Sequence, residues 1–339
     1  MAEERFDILP PLQANDRRVL SREPPNAEAA EGAFGHLVTP AKMRFVRCHF
    51  DIPRLDDGHE IELSGAFVHP LRLSLAELRA MPPSMSTVVT ECAGNGRATL
   101  SPPIVDGEPW QDRAVSAAQW TGVALPAILE RSGLSETAVE LVFTGADGGE
   151  YQRSLPREVA LDPSTMVALE MNGAPIPPQF GGPVRLIVPG WYGMASVKWL
   201  ARIEAVERPF SGRFQSEKYV YARGAPVTTI RIKSMFTGLP RAVRAGSVVR
   251  LTGLAWGADG VDQVEVAIDG EWRPARLVGP ILRHAWRRFE AQWTPATAGR
   301  YLIACRATDA RGAAQPDEPS WNEGGYGANG IQEVAITAV

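Results

Sequence analysis

The stretch TVVTECAGNGRATLSPP, residues 87–103, places a cysteine between an apolar β-type run and a glycine-containing loop that ends on arginine. A thiol is reactive or metal-binding as its thiolate, which is favoured by nearby positive charge and by the backbone N–H groups of a turning loop. The loop after Cys92 supplies both, with Arg97 as the charge. Residue type alone favours a buried structural cysteine instead, because free cysteine is among the most buried residues.

Other chemistries lose support on the same reading. Cys48 and Cys305 lie far from Cys92 and no CxxC pair occurs, so neither a disulfide framework nor a zinc ribbon is expected. CxxCH is missing too, so no haem is expected, and any redox reaction needs an external electron acceptor. His36, His49, His59, His69 and His284 are scattered rather than spaced as ligands of one metal. The chain has no GxGxxG, no GxxxxGKS or GxxxxGKT, no HExxH and no GxSxG, which weakens nucleotide binding and ordinary hydrolysis.

The elements that must position these residues exceed one core. The chain has 339 residues, above the roughly 250–300 at which single cores stop growing. Hydrophobic residues at 45% and charged residues at 22% place it among ordinary globular proteins. A net charge of -4 leaves no basic surplus for a nucleic acid. No window reaches the ~18 consecutive apolar residues of a membrane span. MAEERFDILPPLQANDRR carries acidic residues where a secretory leader would be basic. The expectation is a cytoplasmic protein, or a periplasmic one whose leader has been removed.

Residues 1–40, rich in Pro, Asn, Glu and Ala, read as an extended arm. Over residues 41–222, FVRCHF, MSTVVTEC, VELVFTG and VRLIVPG read as strands. Between them SLAELRAM follows a serine N-cap and TGVALPAILERSGL ends at Gly133, giving two helices and a mixed α+β domain. Over residues 223–339 the pattern becomes period-two strands with turn signals, as in an all-β immunoglobulin-like sandwich. Trp256 and Cys305 suggest the immunoglobulin core pair, but a second paired cysteine is missing.

FVRCHF, ECAGNGR, ALEMNGAPIPPQFGGPVRLIVPGWYGMASVKWL and a later SWN, in this order and spacing, resemble the sulfite oxidase family of molybdenum enzymes. The similarity runs from about Phe45 to Trp321. It implies a molybdopterin-binding catalytic domain followed by an Ig-like domain that pairs two chains as a homodimer. By this resemblance Cys92 is the thiolate ligand of molybdenum, a soft donor suited to an ion that changes oxidation state. Arg185, Lys198 and the backbone around Ser196 would meet the pterin phosphate. Phe45, Arg47 and His49 would lie over the pterin, with Asp147 as a contacting carboxylate. Arg47 and Arg97 would hold an oxyanion. Trp110 would form an aromatic wall, Tyr219 would supply a phenol, and Cys48 would be structural.

Two positions depart from the family pattern. Gly324, in SWNEGGYG, stands where a third substrate arginine is expected, and Phe180 replaces a pterin-contacting histidine. The implied reaction is two-electron oxygen-atom transfer, with sulfite oxidised to sulfate and electrons passed to an external acceptor such as a cytochrome. A reductase of a sulfoxide, N-oxide or nitrate stays open as an alternative. So does a metal-free interaction protein acting through its Ig-like domain.

Overall fold

The computed structural model describes residues 17–148 and 151–339. The chain divides into two compact units. The first comprises residues up to Thr228 together with Asn322–Tyr326, and the second comprises Thr229–Trp321 and Gly327–Val339.

In the first unit the apolar runs become strands of two five-stranded sheets. One is ordered Ala174–Pro175, Met166–Met171, Val115–Ala124, Ser84–Glu91, with Arg185–Ile187 also pairing with Met166–Met171. Its continuous apolar stretches suit a sheet covered on both faces. Trp120, Met166, Ala168, Ile187 and Val88 pack into one cluster with Val46, Cys48, Phe180 and Trp199. The other sheet is ordered Leu71–Ser74, Glu60–Gly65, Leu200–Val206, Glu140–Gly145, Gln152–Pro156.

Short helices join these strands where the cap residues direct. Ser74 and Glu77 form a reciprocal capping box on Leu75–Ala80. Leu125–Ser132 begins with a proline in its first turn and stops at Gly133, whose φ of 67° is left-handed.

Of the arm expected over residues 1–40, residues 1–16 lie outside the described residues. Val19–Arg22 and Pro25–Ala27 are strands of a three-stranded sheet completed by Val46–Arg47. Asn26 closes this sheet from its side chain: Oδ1 accepts from the Cys48 N–H at 2.9 Å and from Arg47 Nη1 at 3.2 Å. The N-terminal strands thereby fix the backbone that carries Arg47.

The second unit is an all-β sandwich. Glu271–Val278 pairs through its first residues with Gln263–Ile268 and through its last with Arg287–Trp293, so one strand passes between the two layers. Alternate residues point inward, and Leu251, Val266, Phe289, Ile303, Cys305 and Ile336 form the core. Cys305 is a free, buried thiol that accepts from the Ser234 hydroxyl at 3.4 Å.

Candidate active site

Cys92 follows directly on the strand Ser84–Glu91. The turn after it is fixed by its own polar atoms. The Asn95 N–H donates to the Cys92 carbonyl at 2.9 Å, Asn95 Nδ2 donates to Glu91 Oε1 at 2.9 Å, and Asn95 Oδ1 accepts from the Ala114 N–H at 2.9 Å. At Gly94 a Cβ would come within 2.6 Å of the Arg97 guanidinium, so a larger residue there would displace that side chain. The loop therefore brings thiol and guanidinium into one neighbourhood. Burial nevertheless pushes the Cys92 thiol up, against the opposing pull of Arg47, Arg97 and the Gly94 N–H. The thiolate expected from the loop's charges is thus not favoured in the protein alone, because desolvation outweighs them.

Cys92 opens onto a cavity that Phe45, Arg47, His49, Asp147, Arg185, Ser196, Lys198 and Tyr219 also line. Arg185 donates from Nη1 to the Phe180 carbonyl and from Nη2 to the Ser196 carbonyl, both at 2.6 Å, and lies 5.1 Å from the Trp120 ring. Lys198 Nζ donates to Cys48 Sγ at 2.9 Å and to the Gln179 carbonyl at 3.3 Å. Gly181, with φ of 100°, leaves room for this lysine: a Cβ there would sit 2.7 Å from the Lys198 Cβ. Burial lowers the pKa of both cations, that of Arg185 to about 9.

Tyr219 and His49 meet with Oη and Nε2 2.7 Å apart. Burial, then Arg47 and Lys198, hold His49 well below its usual range, so its imidazole is neutral. Burial raises the Tyr219 phenol, which keeps its proton. Tyr219 adopts a left-handed φ of 55°, and Arg153 lies 5.9 Å from its ring while donating to the carbonyls of Phe214 and, at 3.2 Å, Val227.

Two expected residues lie elsewhere. Arg97 does not line the cavity: Nε donates to the Gly324 carbonyl and Nη1 to the Glu108 carbonyl, each at 2.9 Å. Trp110 is fully buried and does not line the cavity either; its Nε1 has no hydrogen-bond partner among the described residues. It is a buried aromatic of the core. Conversely, Arg44, Tyr151 and Gln179 line the cavity without having been singled out in the sequence. Tyr151 is marked in the sequence only by its place after VELVFTG, and it anchors through its hydroxyl to the Met194 carbonyl at 2.8 Å. Arg44 reads in sequence as an ordinary surface charge.

The cavity's donors and acceptors fit a molybdopterin. Among the described residues no carboxylate forms an ion pair with Arg44 or Arg185, and Lys198 feels the Asp147 carboxylate only at longer range, which leaves buried positive charge for an anionic tail. Among the described residues, Gln179 Oε1 and Asp147 Oδ1 are buried acceptors without donors, suited to the N–H groups of a pterin. No cluster of three or more His, Cys, Asp or Glu side chains that could hold a metal occurs among the described residues.

Comparison with known proteins converges on the same chemistry. The family described as oxidoreductase molybdopterin binding domain matches residues 49–214. Sulfite oxidase of Gallus gallus is 33% identical over 351 residues, covering 92% of this chain and 75% of that protein. Mitochondrial sulfite oxidase of Macaca fascicularis is 33% identical over 96% of this chain, which spans 66% of that protein's length. The crystal structure of the sulfane dehydrogenase SoxCD from Paracoccus pantotrophus superposes with a TM-score of 0.84 at 26% identity, covering 94% of this chain and 87% of that one. The chain belongs to the sulfite oxidase family of molybdopterin oxidoreductases.

Proposed function

We propose that this chain oxidises sulfite to sulfate. The balance is one sulfite and one water giving one sulfate, two protons and two electrons, the electrons leaving to an external acceptor such as a cytochrome. The observation that carries the reading is the gathering of Cys92, Arg47 and Tyr219 on one cavity whose other groups suit a pterin and its anionic tail. When bound, the molybdenum cofactor supplies the two-electron couple for oxygen-atom transfer.

The chain's own residues would hold that cofactor and place the substrate. Cys92 would ligate the metal, losing its proton as metal binding replaces the desolvation that now disfavours the thiolate. Arg185, Lys198 and Ser196 would take the tail, while Phe45, His49 and Asp147 would take the pterin. Arg47 would hold the oxyanion, and Tyr219, which keeps its proton, would donate to it. Arg97 would act on the substrate through its field and through the loop it anchors.

Similarity to a sulfane dehydrogenase also supports oxidation of a reduced sulfur centre. Gly324 favours a second reading, a reductase of a sulfoxide, N-oxide or nitrate, since it leaves the pocket one cation short. Similarity over 57% of the chain to a Petunia hybrida nitrate reductase, at 34% identity, agrees with that reading. Pairing of two chains through the Ig-like unit is part of the proposal, and a monomer in solution would remove it alone.

Sulfite-dependent reduction of ferricyanide by protein of verified molybdenum content decides between the readings. Turnover that Cys92→Ser abolishes supports sulfite oxidation. Loaded protein inert to sulfite but active on reducible oxides would replace it with the second reading.

A further inference from the structure

We infer that Arg44 is a third cationic ligand for the anionic tail of the cofactor, beside Arg185 and Lys198. The inference rests on the molybdopterin reading above and extends it to a residue that the family pattern does not assign. Arg44 lines the cavity, yet its residue is only 2% exposed. Its guanidinium is clamped between two rings, 5.6 Å from Trp120 and 5.6 Å from Phe180. Such stacking holds an arginine in place while leaving its N–H edge available.

That edge is unused. Nε and Nη1 have no hydrogen-bond partner among the described residues, and no carboxylate pairs with the group. Arg185 differs, because its terminal nitrogens are already committed to the Phe180 and Ser196 carbonyls. Arg44 is thus the buried cation with donors to spare. Its setting also disfavours the charge, since burial, Arg185 and Arg17 bring its pKa down to about 9. A buried charge without partners is unfavourable by itself, so its presence calls for a counter-anion. Phosphate, which accepts planar bidentate donation from guanidinium, meets that need. Phe180, the ring on which Arg44 rests, is the neutral residue standing in the expected histidine position, so Arg44 supplies positive charge where that exchange removed a donor.

The test uses the full chain made in a cofactor-competent host as wild type, Arg44→Met and Arg44→Lys. Pterin and molybdenum per chain are measured before and after prolonged gel filtration. The expected result is wild type near full occupancy, Arg44→Met losing pterin about ten- to a hundredfold faster, and Arg44→Lys lying between. Thermal melting of the same chains from a cofactor-deficient host separates binding from folding. There Arg44→Met melts no lower than wild type, and added inorganic phosphate raises the wild-type midpoint more than the variant's. Equal pterin retention in wild type and Arg44→Met overturns the assignment and leaves the molybdopterin reading intact. A cofactor-free Arg44→Met that melts far below wild type overturns it in favour of a structural arginine. Wild type that carries no pterin from the competent host overturns both.

Discussion

The Tyr219 hydroxyl stands 2.7 Å from Nε2 of His49, in a pocket where Arg47 and Lys198 bear on the imidazole and Tyr151 and Phe214 pack against it. Burial and the two cations keep His49 neutral, whereas in the unfolded chain it titrates near 6.5. Below that value the unfolded state binds a proton that the folded state refuses. The His49 contribution is therefore flat above about pH 6.5 and falls by up to about 1.4 kcal/mol per unit as pH drops below it. Denaturant midpoints of the metal-free chain from pH 7.5 to 5.5 measure this. His49→Gln should show a shallower acid slope, and an unchanged slope would mean that His49 already holds a proton.

Cys92 and the cations that line the same cavity have separable tasks in the proposed function. Cys92→Ser should lower sulfite-dependent turnover by at least about a hundredfold. Pterin content should stay near the wild-type level, because Arg185 and Lys198 are untouched. Turnover and extracted pterin are measured on the same preparation, and loss of both together would place the thiol's role in retention of the cofactor.

The scaffold was legible where local chemistry decides it. Ser74 followed by Glu77 announces a capped helix, and Gly133 announces its neighbour's end, since each acts within a few residues. Cys92, Arg47 and Lys198 were legible through motif resemblance. Arg44 and Trp110 were not, because their roles depend on partners distant in sequence. Arg44 differs from a solvated arginine only through Trp120 and Phe180 closing over it. Trp110 carries the same residue type whether it walls a pocket or fills a core. Burial of Cys92 is likewise invisible in the loop's sequence, although its charges are, and it is burial that raises the thiol's pKa in the metal-free chain.

Trp110 lies in the core, so Trp110→Phe should act on stability. The lost ring volume should cost about 1–3 kcal/mol in the denaturant midpoint, and KM for sulfite should stay within about twofold of wild type. A large rise in KM with unchanged stability would return the ring to the substrate pocket.

Cys48 is the acceptor that keeps Lys198 aimed. Its sulfur takes the Nζ donation at 2.9 Å, and the Gln179 carbonyl at 3.3 Å is the one other acceptor among the described residues. Cys48→Ala leaves a buried ammonium under-satisfied and should cost about 1–3 kcal/mol, whereas Cys48→Ser keeps an acceptor and should recover most of it. Thermal melting of the three chains compares them. Equal losses in both variants would mean that the sulfur acts by packing alone.

Gly324→Arg adds the cation that the substrate pocket lacks by comparison with the family pattern, yet the local geometry argues against a gain. A Cβ at Gly324 would meet the Tyr326 ring at 2.2 Å. Tyr326 in turn lies 5.3 Å from the Arg97 guanidinium, and its hydroxyl accepts from the Tyr219 N–H at 3.4 Å. The Gly324 carbonyl itself accepts from Arg97 Nε. Displacing Tyr326 should loosen both Arg97 and Tyr219, so the substitution should destabilise the chain by about 1–3 kcal/mol. KM for sulfite should rise rather than fall. Melting temperature and KM measured together test this. A variant that binds sulfite more tightly without loss of stability would mean that the loop can re-form around the new side chain, and that the missing arginine alone limits oxyanion affinity.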